Sequence, residues 1–100
     1  MSHLLYTKYY NDLVNKLKNT RKSLNIKQVE IATLLQKPQS FISKYENCEI
    51  KIDLETLAKI CFILKIDDIK LYKEFSDKVK ETIAMRRILS EDDEQIINFM

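Results

Sequence analysis

Residues 28–46, QVEIATLLQKPQSFISKYE, decide the fold of this chain, because they predict two short helices joined by a tight turn. Each half places its apolar residues at the spacing of one helix face. These residues are Ile31, Ala32 and Leu35 in the first half and Ile42 and Tyr45 in the second. Pro38 separates the halves, since proline cannot continue a helix but suits the opening turn of the next one. The stretch therefore predicts a helix–turn–helix.

The second of these helices carries polar side chains away from its apolar face: Gln39, Ser40, Ser43 and Lys44. All of them can form hydrogen bonds, and none is needed in a core. A helix–turn–helix places its second helix in the major groove of DNA, with the early residues against base edges. This helix is therefore the candidate for reading a DNA sequence.

The same stretch resembles the helix–turn–helix of the Cro and lambda-repressor-like family, also called the xenobiotic-response-element family, whose pattern reads Q-x-x-L-A … S-x-x-x-I-S-x-x-E. The matching residues are Gln28, Glu30, Ala32, Pro38, Gln39, Ser40, Ile42, Ser43, Lys44 and Glu46. The resemblance covers about Leu17 to Tyr72. It departs from the family pattern at Gln36 and Cys48, where Gly is common, and at Lys27, where Ser or Thr often caps the helix.

Side-chain chemistry assigns a role to each outward residue of the second helix. Gln39 suits bidentate contact with adenine, Lys44 suits guanine or a phosphate, and Ser40 and Ser43 can contact bases of either kind. Lys27 and Lys37 precede the two helices, where phosphates are expected, so both are predicted to contact the DNA backbone. Asn47, after the second helix, can donate to a phosphate or cap that helix.

The resemblance adds two further roles. It implies that Gln28 pins the start of its helix to the DNA backbone. It also implies that Arg21, which lies on the apolar stripe of an earlier helix, pairs with Glu46 at the end of the second helix, because a charge facing inward needs a partner. Two independent surface charges are the alternative.

Composition favours an all-α protein of one compact domain, since the 100 residues are 45% apolar and include no Gly and a single Pro. No apolar run approaches the length of a membrane span, and MSHLLYTKYY is too polar and short for a signal peptide. We therefore expect a cytoplasmic protein that does not bind membranes.

Charge is unevenly distributed, with nine Lys or Arg against four Asp or Glu in residues 1–52 and eight against eleven in residues 53–100. The net charge of +5 on the first half and −3 on the second gives the total of +2. A basic half that contains the predicted reading helix fits a surface that meets phosphates. Abundant Lys on solvated helix faces would give the same counts.

No residue pattern indicates catalysis, a metal or a cofactor. Cys48 and Cys61 with the single His3 cannot make a four-ligand zinc site within one chain, and no Gly-rich phosphate loop occurs. Cys61 falls on an apolar helix face and is predicted to pack there. Cys48, in the loop after the second helix, could be exposed and oxidisable, but no neighbouring residue that would activate it as a redox switch is identifiable. An enzyme is not expected.

The remaining patterns predict three more helices around the pair. A first helix over about Thr7 to Ser23 ends at Asn25, and Tyr6, Tyr9 and Tyr10 at its start are assigned to packing rather than base stacking. Asp53 is predicted to cap a fourth helix and Asp67 a fifth. The apolar faces are predicted to be Leu54, Leu57, Ala58, Cys61 and Leu64 in the fourth helix and Ile69, Tyr72 and Phe75 in the fifth. This gives a compact five-helix bundle over residues 1–75.

Residues 76–100 are predicted to form a helical extension. Val79, Ile83 and Ala84 can prolong the fifth helix to about Leu89. Ser90 and Asp93 resemble a capping box that opens a final helix. That helix would carry the apolar residues Ile96, Ile97 and Met100, which need a partner surface either on their own domain or on another subunit.

The functional prediction is a sequence-specific regulator of transcription that binds double-stranded DNA as a homodimer, since one such helix reads only a few base pairs. The alternative is an interaction module that binds a protein partner through residues 76–100, as an antitoxin binds its toxin. Both activities can coexist in one chain.

Overall fold

The computed structural model describes residues 6–89, which form five α-helices and no β-strand. The helices are α1 Lys8–Ser23, α2 Gln28–Leu35, α3 Gln39–Glu46, α4 Leu54–Leu64 and α5 Asp68–Leu89. The all-α prediction is confirmed, and each helix lies where the sequence pattern placed it. The predicted final helix after Ser90 lies outside the described residues.

Local sequence signals account for the helix starts. The Thr7 hydroxyl accepts from the backbone N–H of Tyr10 at 3.2 Å, and Asp53 accepts from the N–H of Thr56 at 2.7 Å. Asp67 accepts from the N–H of Lys70 at 3.1 Å. Each bond satisfies one of the backbone donors that a helix start leaves free. Asp53 and Asp67 are therefore the caps that the sequence predicted.

The core lies where α1, α2, α3 and α4 meet. Its fully buried side chains are Val14, Leu17, Ile31, Ile42, Tyr45, Ile60, Cys61 and Leu64. Both helices of the predicted pair bury their expected apolar faces. The buried residues are Ile31, Ala32 and Leu35 of α2 and Ile42 and Tyr45 of α3. The helix–turn–helix is thereby held against α1 and α4.

The predicted inward faces of α4 and α5 are partly wrong. In α4, Leu54 is 75% exposed and Ala58 is also exposed, while Thr56 and Ile60 are buried beside Cys61 and Leu64. In α5, Ile69 and Tyr72 are exposed and Leu71 is buried, with Phe75 packed at its edge. Both helices are rotated relative to the prediction because apolar residues occur on more than one of their faces.

The sequence left open whether Cys48 is exposed, and the structure buries this side chain, with only 3% of its surface exposed. Cys48 has a left-handed backbone with φ 59°, and its N–H donates to the carbonyl of Tyr45 at 3.1 Å, so the turn carries the side chain inward. Burial raises the pKa of its thiol, which disfavours the reactive thiolate. Cys61 is buried as predicted, and burial raises the pKa of its thiol to about 11.

Helix α5 is longer than the other four, with 22 residues, and it runs without a break past residue 76. Its first half packs on α1, where the Tyr9 and Phe75 rings meet edge to face with centroids 5.6 Å apart. Its second half exposes Ile83, Met85 and Ile88. None of the helices in residues 6–89 is long and apolar enough to cross a membrane.

Candidate nucleic-acid interface

The turn between α2 and α3 forms without glycine. Gln36 ends α2 in a left-handed conformation with φ 57° and ψ 44°, and the N–H of Lys37 then donates to the carbonyl of Ala32 at 3.0 Å. This is the geometry for which the family pattern often has Gly. Pro38 follows in an extended conformation and α3 begins at Gln39. The departure at Gln36 therefore leaves the helix–turn–helix intact.

Helix α3 divides into a buried and an open face. Ile42 and Tyr45 are fully buried, whereas Gln39, Ser40 and Lys44 are exposed and Ser43 is half-buried. Phe41 lies between the two faces, with the Lys37 ammonium 5.3 Å from the centre of its ring. The four residues predicted to meet bases thus share the side of α3 that the core leaves open.

The residues predicted to meet the DNA backbone fall into two groups. Lys27, Lys37 and Asn47 are exposed at the ends of α2 and α3. Gln28 is half-buried, and its amide forms hydrogen bonds to Glu46 and Gln39 at 2.9 Å and 3.3 Å. The Gln28 side chain is therefore held by hydrogen bonds to two side chains of α3.

Lys27 occupies the cap of α2, although a lysine side chain cannot accept a hydrogen bond. Glu30 supplies the capping interaction instead, because its carboxylate accepts from the backbone N–H of Lys27 at 2.8 Å. This leaves the ammonium of Lys27 outside the cap.

A buried ion pair fixes α3 to α1. Nε of Arg21 donates to Oε2 of Glu46 at 2.7 Å, and Nη2 donates to Oε1 at 3.0 Å. Nη1 of Arg21 also donates to the carbonyl of Ile26 at 2.7 Å. The side chains are only 9% and 1% exposed, and the hydrogen bond to Glu46 raises the pKa of Arg21. The alternative of two independent surface charges is excluded.

Aromatic residues at the start of α1 and just before it hold the loop that leaves α3, a role that the sequence did not predict. The Tyr10 hydroxyl accepts from the N–H of Ile52 at 3.0 Å and donates to the carbonyl of Ile50 at 3.5 Å. The ammonium of Lys51 lies 5.1 Å and 5.8 Å from the ring centres of Tyr6 and Tyr10. Helical spacing identified Tyr10 as a packing residue, but no local pattern links it to a loop about forty positions away.

Residues 6–89 contain no cluster of His, Cys, Asp and Glu that could hold a metal ion. A cleft between α1 and α5 has a volume of about 250 Å³ and is lined by residues that include Leu13, Leu71 and Phe75. It lies beside α5, on elements that do not include α2 or α3. The helix–turn–helix therefore remains the candidate site.

Comparison with known protein families identifies the class of this protein. A model of the helix–turn–helix family matches residues 17–68, from within α1 to the start of α5. The match spans about half of the chain and includes the whole helix–turn–helix. No characterised protein and no solved structure shows a significant match.

The chain therefore belongs to the Cro-type, lambda-repressor-like helix–turn–helix family, a family of DNA-binding regulators. The matched residues include the open face of α3 and both ends of α2.

Proposed function

We propose that this protein is a transcriptional regulator that binds a specific sequence in double-stranded DNA as a homodimer, with α3 in the major groove. The observation that carries the proposal is the open polar face of α3 on a helix whose other face is fixed in the core. Gln39, Ser40 and Lys44 are exposed there, next to a buried ion pair that holds the end of the helix.

The proposed contacts divide into those that specify and those that position. Gln39, Ser40, Ser43 and Lys44 would meet base edges. Lys27, Lys37 and Asn47 would meet phosphates, which supply affinity without sequence information. The exposure of Lys27 just before α2 and of Lys37 in the turn before α3 supports this division.

The homodimer is supported by the small reach of α3. Its eight residues span only about 12 Å at 1.5 Å per residue, which is about one third of a helical turn of DNA. Two copies related by a two-fold axis would read two half-sites one turn apart. The exposed apolar residues of the second half of α5 are available for such an association.

The test begins with selection of bound sequences from random double-stranded DNA, followed by affinity measurements on the selected site. Gln39→Ala should lose about 1–3 kcal/mol on the selected site and relax the preference at one base position. Lys27→Ala is the matched control, because losing a phosphate contact should weaken selected and random DNA alike and reduce the salt slope by about one.

Two results would contradict the proposal. If Gln39→Ala binds selected and random DNA as the parent does, α3 is not the reading helix. If selection from random DNA enriches no sequence, the chain is not a sequence-specific regulator. Capture of a stoichiometric small protein in place of DNA would favour the interaction module.

A further inference from the structure

The cleft between α1 and α5 offers an apolar surface that residues 6–89 leave open. Its volume is about 250 Å³, and its apolar lining comes from Tyr9 and Leu13 of α1 and from Leu71 and Phe75 of α5. A dry apolar cavity of about 150 Å³ is large enough to bind benzene. The cleft therefore has room for an aromatic side chain.

The side of α5 that lines the cleft continues beyond it. Leu71, Phe75 and Lys78 line the cleft. The same spacing of three and four residues leads on to Thr82 and Met85, so all five share one side of the helix. Met85 is 55% exposed. An apolar surface thus extends from the cleft toward the end of α5.

The end of α5 and the segment that follows it carry opposite charges. Residues 78–89 include four Lys or Arg and one Glu, a net charge of +3. Residues 90–100, SEDDEQIINFM, include four Asp or Glu and no Lys or Arg, a net charge of −4. At about 0.1 M salt, charges within about 10 Å of each other still interact. The acidic part of the segment is therefore attracted to the helix that precedes it.

The length of this segment matches the distance back to the cleft. From Leu89 to Leu71, α5 rises about 27 Å at 1.5 Å per residue. The eleven residues of the segment, fully extended, span about 36 Å, which leaves about 9 Å for a turn of about three residues. Phe99 then comes level with Phe75. A helix of the same eleven residues would span only about 16 Å and would end level with Lys78.

We propose that residues 90–100 turn back along α5 in an extended conformation and dock into the cleft between α1 and α5 of the same chain. The acidic residues lie along the basic end of α5, and Phe99 enters the cleft beside Phe75. The chain's own segment is favoured over a free one, because a short connection gives a high effective concentration. The extended segment replaces the final helix that Ser90 and Asp93 predicted.

The docked segment leaves two other surfaces of the protein uncovered. Ile83 lies about 120° around α5 from Leu71, so it belongs to a different side of that helix. Helices α2 and α3 do not line the cleft. Docking is thus compatible with self-association through Ile83 and with DNA binding, and it requires neither.

The test places a nitroxide spin label on the segment and uses NMR to detect which amide signals the label broadens. In the full chain, Asn98→Cys provides the attachment site, because the two native cysteines are only 3% and 1% exposed. Lys16 and Glu74 line the cleft, so their amide signals should lose most of their intensity. The amide signal of Ser40, in α3, should keep its intensity.

Two substitutions in the spin-labelled chain show whether the apolar part of the segment holds it in the cleft. Phe99→Asp places a charge where the proposal needs an apolar ring, so the Lys16 and Glu74 signals should recover. Gln95→Asp is the matched control, because it adds the same charge at a polar position, and the losses should remain. Both residues follow the described helices, and the signals of α1 to α4 verify that the fold is retained.

A mixture of spin-labelled protein with isotope-labelled protein that carries no spin label identifies the chain that supplies the segment. Losses at Lys16 and Glu74 that are absent from the mixture and abolished by Phe99→Asp support docking within one chain. Equally strong losses in the mixture assign the cleft to the segment of a second copy and overturn the proposal. Unchanged signals at the cleft overturn it, as do losses that Phe99→Asp leaves intact.

Discussion

The ion pair between Arg21 and Glu46 has a calculable cost of removal, because both side chains are almost fully buried. Arg21→Met would leave the Glu46 carboxylate in the core without its cation. Loss of one partner of a buried pair costs about 3–5 kcal/mol, so this variant should lose that much free energy of unfolding, measured by urea denaturation.

The control for this prediction is Lys73→Met, which removes a pair with Asp77 in which the side chains are 73% and 47% exposed. Solvent screens such a pair, so no measurable loss is expected. The double variant Arg21→Met with Glu46→Leu should recover much of the loss, since it leaves no buried charge. An unchanged urea midpoint for Arg21→Met would contradict a structural role for the pair.

Tyr45 offers the opposite case, a buried group whose removal should stabilise the protein. Its side chain is fully buried, and its hydroxyl has no hydrogen-bond partner among the described residues. An unsatisfied buried donor costs about 1–3 kcal/mol, so Tyr45→Phe should raise the free energy of unfolding by about 1 kcal/mol at neutral pH. A loss of similar size in urea denaturation would mean that the hydroxyl is hydrogen-bonded.

The same residue predicts a response to alkaline pH. Burial raises the pKa of the Tyr45 phenol above its ordinary value of 10.0. As the pH rises through that ordinary value, the unfolded chain loses the phenol proton and the folded chain keeps it. The unfolded state then binds fewer protons, so stability falls with rising pH. Tyr45→Phe should lose less stability than the parent between pH 9 and about 11, in urea titrations at each pH, and parallel curves would contradict this.

The sequence predicted some of the side-chain contacts at the candidate site and not others. The matching positions of Arg21 and Glu46 in the family pattern predicted their pairing, and the structure joins them directly. The hydrogen bonds of the Gln28 side chain were not predicted. They form because the start of α2 lies close both to Glu46 at the end of α3 and to Gln39 at its start. Glu46 is eighteen positions from Gln28, so no local sequence pattern indicates their contact.

At the scale of helices, periodicity predicts a face reliably only where apolar residues occupy one side. In α3 they mostly do, and the buried face is the predicted one. Helix α2 also buries its predicted face, although it exposes Val29 and Leu34 on the other side. In α4, LETLAKICFIL, apolar residues surround the helix, so more than one repeat fits the sequence. The packing of α1 and α2 against α4 then decides the inward face, and it buries Thr56 and Ile60 in place of Leu54 and Ala58.

The turn between α2 and α3 depends on the left-handed backbone of Gln36. Gln36 has φ 57°, a left-handed conformation in which a Cβ atom costs about 1–2 kcal/mol. Gln36→Gly removes that cost but adds freedom to the unfolded chain, which offsets about 0.4–1 kcal/mol. We expect a net gain of about 0.5–1 kcal/mol in the free energy of unfolding, measured by urea denaturation.

Gln36→Ala is the matched variant, because it shortens the side chain and keeps the Cβ atom. It should not gain the stability of Gln36→Gly. Equal effects of the two substitutions would show that the side chain beyond Cβ, and not the backbone conformation, controls the stability of this turn.

For the whole molecule, the decisive feature is that α5 continues beyond the body. Lys78 is the last residue of α5 that lines the cleft with α1, and α1 begins at Lys8. Helix α5 continues from there to Leu89. The described chain is accordingly elongated, with extents of 52 × 29 × 21 Å. Beyond Lys78, Ile83 and Ile88 are 43% and 67% exposed. Exposed apolar residues on a projecting helix favour association with another surface.

We predict that this other surface is a second copy of this chain. Deletion of residues 77–100 keeps buried Leu71 and half-buried Phe75, so the body should still unfold cooperatively. Sedimentation should show weaker self-association than in the parent, because the projecting part of α5 is gone. In the full chain, Ile83→Lys should weaken association with little effect on the unfolding temperature, and Glu81→Lys, at an exposed neighbouring position, should leave association unchanged. An equally tight dimer after the deletion would contradict the prediction. A monomeric parent that copurifies with a stoichiometric small protein would instead assign this part of α5 to a protein partner.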